Sequence, residues 1–146
     1  MKHTKLITLL LSALLSFYLM CIYHVEPNEM VITWNPVSGE LNSDTTSGYY
    51  ISPLWEFASN ISTSPIRVCI TSTSNSYSCM LAQFNPVEYE SFVNTQGFGY
   101  YWFKNRISFN FGYDDEYRGF KDIMRGYAYG NEDYKFLIIK EDYYAK

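Results

Sequence analysis

The chain is 146 residues long, 47% hydrophobic and 19% aromatic, with a formal net charge of −4, a size that suits one domain beyond any targeting segment. All 15 acidic residues but only nine of the 11 lysines and arginines follow Tyr23. The body is therefore net negative by six, which disfavours nucleic acid as a partner. The two histidines are His3 and His24, too few and too far forward for a histidine triad or a multi-histidine metal site in the body.

Leu6 to Tyr23, LITLLLSALLSFYLMCIY, carries no charge and approaches the roughly 20 apolar residues that cross a hydrocarbon core as a helix. Lys2, His3 and Lys5 precede it and Glu26 and Glu29 follow. The positive-inside tendency then predicts a transmembrane signal-anchor over residues 1–23, with a cytoplasmic N-terminus. The body, residues 24–146, would be extracytoplasmic, periplasmic if the source is bacterial. A cleaved signal peptide is the rival. Phe17, Tyr18, Leu19, Met20, Cys21, Ile22 and Tyr23 oppose it, because a peptidase site needs small residues there, and Met20 before Cys21 opposes a lipoprotein signal.

Val25 to Thr33 begins with a turn-forming Glu-Pro and becomes a short strand near Met30. Loops are predicted at 35–39 and 42–48, an extended stretch at Tyr49 to Ile51, and loop or edge positions at Pro53 and Pro65. Residues 66–84 read as a hairpin whose polar centre lies between Cys69 and Cys79. A turn centred near Ser74 sets those cysteines directly opposite each other, close enough for a disulfide in an oxidising compartment. A one-residue slip would put them on opposite faces, so the pairing stays open. Cys21 belongs to the apolar run and is expected to be unpaired.

Asn85-Pro86-Val87-Glu88 is a helix start, with Asn85 as cap, Pro86 in the first turn and Glu88 completing a capping box. That helix should run to about Gln96 and stop at Gly97, with Tyr89, Phe92, Val93 and Gln96 on one face, by whose aromatic side it packs. Arg106 to Phe111 alternates as a half-buried strand. Asp114 opens a second helix, with acids at its positive end, Arg125 at its negative end and Gly126 as terminator. Its apolar stripe is Tyr117, Phe120, Met124 and Tyr127. Lys135 to Lys140 closes the chain as a strand. The fold class is α+β: an antiparallel sheet with two or more short helices behind the transmembrane helix.

Asp114, Asp115 and Glu116 are the candidate acid–base carboxylates, but successive residues on a helix point apart, and helix N-terminal charge accounts for them. No serine stands in a Gly-x-Ser-x-Gly context, and the glycines at 97, 99, 112, 119, 126 and 130 match neither nucleotide fingerprint. No nucleotide, cofactor or metal is expected. Arg118-Gly119-Phe120 and Arg125-Gly126-Tyr127 repeat a basic, small, aromatic triplet two helical turns apart. The pair reads as core packing or as a recognition face of arginine and aromatic anchors.

ValGluProAsnGluMetValIleThr after the apolar run, then Gly39, then SerGlyTyrTyrIleSerProLeuTrp at 47–55, resembles the SPFH family of stomatins, prohibitins and flotillins (Band 7). The resemblance covers about residues 24–84, with Ser47 where the family has proline. From Asn85 onward the chain looks like a divergent, short phage or bacterial branch. The resemblance implies a non-enzymatic, membrane-tethered scaffold that self-associates and organises membrane proteins. No sustained heptad pattern follows, so it implies no large ring.

The resulting expectation is a membrane-anchored α+β binding domain with no catalytic centre, meeting membrane proteins or copies of itself through Arg118, Phe120, Arg125 and Tyr127. The alternatives are a secreted inhibitor or exclusion protein with a cleaved signal, and a small extracytoplasmic hydrolase using Asp114, Asp115 or Glu116.

Overall fold

A computed structural model describes residues 2–53, 55–73, 76–101, 105–109, 116–130 and 132–145. The chain opens as helix α1 (Lys2–Met20), built from leucines and other good helix formers with no glycine or proline to interrupt it. It stops at Met20 because the next residues are taken up by strand pairing. Ser52 donates its N–H to the Cys21 carbonyl at 2.8 Å, and β1 (Ile22–Val25) runs antiparallel to β4 (Gly48–Ile51), with Ile22 opposite Ile51.

This overturns the transmembrane reading. The uncharged run is split: Cys21, Ile22 and Tyr23 leave the helix, and its helical part, Leu6 to Met20, rises roughly 22 Å at 1.5 Å per residue, against a hydrocarbon core of about 30 Å. Among the described residues no helix is long and apolar enough to cross a membrane. The single-pass topology, with a cytoplasmic N-terminus and an extracytoplasmic body, therefore has no helix to carry it.

The strands form three sheets rather than one antiparallel sheet. The largest has the order β3 (Leu41–Asp44), β2 (Glu29–Trp34), β5 (Phe57–Ser62), β9 (Arg106–Ser108), β8 (Gly99–Tyr101). It is mixed, because β5 and β9 pair in parallel at Ala58 and Arg106. A second, antiparallel sheet has the order β10 (Leu137–Ala145), β7 (Ser76–Phe84), β6 (Ile66–Thr73). The β1–β4 ribbon is the third.

Strand alternation divides the apolar side chains between two clusters. Met30 and Ile32 point from β2 into the main core with Phe57 and Ile61, while Val31 points the other way and meets Val25 of the ribbon and Ala58. Phenylalanine is the commonest residue type in the main core. Phe92 of helix α2 (Tyr89–Gln96) lies 5.2 Å from Phe84, 5.3 Å from Phe109 and 5.4 Å from Phe136 between ring centroids. Helix α3 (Glu116–Ala128) packs on the second sheet and adds Phe120 and Met124 to this core.

Three sequence-based boundaries shift. Residues 85–96 are not one helix: a 3-10 turn at Pro86–Glu88 precedes α2, the Asn85 side chain accepts from the Val87 N–H at 3.3 Å, and Glu88 makes no capping hydrogen bond. Gly126 does not end α3. Tyr127 packs on Phe136 and the Tyr129 hydroxyl donates to the Ser78 carbonyl at 2.6 Å, and this anchoring outweighs the roughly 1 kcal/mol helix penalty of one glycine. The closing strand is longer than Lys135 to Lys140 because β7 pairs with it from Leu137 to Ala145, around a bulge between Ile139 and Glu141.

Candidate docking surface

Helix α1 turns its apolar side chains outward. Relative exposure runs from 51% at Phe17 to 66% at Leu9, and none of its described side chains enters either buried cluster. Two of its hydroxyls bond within the helix, that of Thr8 donating to the Thr4 carbonyl at 2.9 Å and that of Ser12 to the Leu9 carbonyl at 2.9 Å. Contiguous exposed apolar surface of this kind marks an interaction site on a folded protein.

The body supplies a second wall. Leu11, Leu14 and Tyr18 of α1 face Ile51, Pro53 and Trp55 across an open apolar groove of about 770 Å³. Ser52, 2% exposed, holds the loop that carries this wall: its N–H is bonded to Cys21, and its hydroxyl donates to the carbonyls of Pro53 at 3.2 Å and Glu56 at 3.3 Å. Trp55, on this tethered loop, and Ile51, at the end of β4, are 54% and 68% exposed. Tyr49, on the same exposed face of β4 as Ile51, packs against His24 with ring centroids 4.5 Å apart and the planes tilted by 40°. Beneath it Tyr23 and Tyr50 stack at 5.4 Å. Burial pushes the Tyr23 phenol above its ordinary pKa, with Glu56, Asp44 and Tyr50 adding to the shift.

The residues singled out from the sequence fall elsewhere. Phe120 is 4% exposed in the core, and Tyr127 packs against Tyr134 and Phe136 while its hydroxyl donates to Gln96 Oε1 at 2.8 Å. Arg118 and Arg125 are exposed, and Arg125 pairs with Asp122 at 2.8 Å on the same helix. The triplets thus place their arginines outside and their aromatics inside, and do not combine into one face. Cys69 and Cys79 are cross-strand partners joined by a disulfide, with Cα atoms 4.1 Å apart. Cys21 is a free thiol beside the groove. Asp114 and Asp115 lie outside the described residues, and Glu116 enters as the first residue of α3. Among the described residues no group of three His, Cys, Asp or Glu is placed to hold a metal ion.

Sequence reasoning missed the loop wall. Residues 47–55 resemble a family motif, but the clustering of Tyr49, Ile51, Pro53 and Trp55 as large apolar residues within an acidic body is the signal of a surface. No protein-family model matches the chain, and no curated protein matches it either. The resemblance to SPFH or Band 7 domains finds no support in these comparisons. Short motifs such as Val-x-Pro-x-Glu specify a strand after a turn, which β2 provides.

Proposed function

We propose that the chain is a non-catalytic binding protein, a small scaffold that holds its partner against the apolar surface shared by α1 and the Ile51–Trp55 loop. The exposure of α1 carries this reading. Nine large apolar side chains between Leu6 and Tyr18 stand more than half exposed, and covering them at roughly 1 kcal/mol each would offset an association cost of about 4–15 kcal/mol. The groove gives the surface a shape, and the Ser52 hydrogen bonds keep its second wall in place.

A double variant, Leu14→Asp with Leu15→Asp, tests the reading without touching the core. In sedimentation velocity the wild-type chain is expected to travel as an assembly, or with bound detergent or lipid, and the variant as a single 17.1 kDa chain. A wild type that sediments as a clean monomer with nothing bound would refute the proposal. A second reading, a secreted inhibitor acting through the body alone, is favoured by the absence of described α1 side chains from both buried clusters. N-terminal sequencing of the mature chain separates the two, since only the second requires loss of the helix.

A further inference from the structure

We infer that the occupant of this surface is an anionic lipid surface, on which α1 lies lengthwise rather than crossing. The inference rests on the docking role of α1 and names its partner. At 100° per residue, Lys5, Thr8, Ser12 and Ser16 fall within roughly 80° of arc, a narrow stripe bordered by Leu9 and Leu15, with Thr4 outside it. Ile7, Leu10, Leu11, Leu14, Phe17 and Tyr18 fall within roughly 120° on the opposite side. A helix with one polar stripe and a broad apolar face settles about 5–10 Å deep at the headgroup boundary, with the stripe toward water.

The body agrees with this orientation. Ile51, Pro53 and Trp55 line the groove on the side of Leu11, Leu14 and Tyr18, away from the polar stripe, so helix and loop can enter one plane together. Tryptophan and tyrosine suit that depth because each joins an apolar ring to a polar group. Charge is complementary too. Lys2 and Lys5 are the only Asp, Glu, Lys or Arg residues before Glu26, while the body after Tyr23 is net negative. An anionic bilayer therefore draws the lysine-bearing end of the helix down and keeps the acidic remainder of the body in water, with only the Ile51, Pro53 and Trp55 wall entering beside the helix.

A second copy of the chain fits less well. A partner helix covers a stripe near 100° wide, which leaves part of the leucines at positions 6, 9, 10, 14 and 15 uncovered, all of them more than half exposed. A lipid surface covers the broad face at once.

Flotation of the full chain with vesicles tests the inference. Two lysines near an anionic surface raise partitioning roughly 30-fold, about 2 kcal/mol. The chain should therefore co-float with vesicles of mixed phosphatidylcholine and phosphatidylglycerol, and far less with phosphatidylcholine alone or in high salt. Lys5→Glu should erase most of the preference, and Leu14→Asp should abolish binding. On vesicles, the N-terminal amine should react with an impermeant reagent as fully as after detergent lysis, since both helix ends stay on one side. Equal binding to neutral and anionic vesicles, or a protected N-terminus, would overturn the inference. Self-association without flotation would overturn it while leaving the docking surface standing. Flotation unaffected by Leu14→Asp would remove both.

Discussion

Replacing Phe92 with alanine should cost more stability than most single changes in this protein. Phe92 is 0% exposed, and its ring lies within 5.4 Å of those of Phe84, Phe109 and Phe136 and 6.4 Å from that of Phe120. Losing the transfer free energy of a fully buried phenylalanine costs up to about 3 kcal/mol. Edge-to-face contacts add about 0.5–1.5 kcal/mol per pair, and part of the vacated volume stays empty. The total should be about 3–5 kcal/mol, the usual range for a buried phenylalanine. For a body of about 120 residues that corresponds to a fall in Tm of roughly 10–20 °C. Guanidinium denaturation followed by far-UV circular dichroism measures it, with Val87→Ala, at an 81% exposed position, as a control expected to stay within about 0.5 kcal/mol. A loss below about 1 kcal/mol for Phe92→Ala would mean that the four rings do not share one core.

Two further outcomes follow from individual groups. Cys69 and Cys79 are ten residues apart, so reduction, or the double change to serine, should cost about 3 kcal/mol through freed loop entropy in the unfolded chain; identical denaturation midpoints with and without reductant would contradict this. Burial, and secondarily Tyr134, raises the pKa of the Tyr127 phenol. Its contribution is complete below the unfolded value near pH 10 and is lost as pH rises through the higher folded value. Tyr127→Phe should therefore flatten the alkaline decline in stability above about pH 10, and superimposable alkaline profiles for the two proteins would count against the assignment.

What could be read from the sequence was local. The hairpin of β6 and β7 was legible because its alternation and the placement of Cys69 and Cys79 about one turn agree in a single register. Gly97 was legible as a helix end because its φ of 70° is a conformation that glycine adopts freely. The end of α1 was not. Nothing in Cys21-Ile22-Tyr23 itself breaks a helix; the competitor is β4, more than 20 residues later, which offers hydrogen bonds to these residues. The parallel pairing of β5 with β9 is also set by distant partners. Of the site, the helix was visible as an apolar run, but its second wall depended on where Ser52 tethers the following loop.

The aromatic content resolves in the same physical terms. Phenylalanines 57, 84, 92, 109, 120 and 136 are all buried, as expected of side chains with no polar atom to satisfy. The tyrosines 89, 127 and 129 sit at the margin of this core, with hydroxyls bonded to the Leu41 carbonyl, Gln96 and the Ser78 carbonyl. This division fills the core and leaves a remainder that packing does not explain. Tyr49 and Trp55 belong to that remainder; Trp55 lines the groove beside α1, and Tyr49 lies on the exposed face of β4 that also carries Ile51. Core demand would have drawn them inward, and solubility alone would favour polar residues in their place. Tyr77 and Tyr101 are exposed as well, away from the groove, so it is the position of Trp55 and Ile51 opposite an apolar helix, rather than exposure by itself, that supports the proposed docking surface.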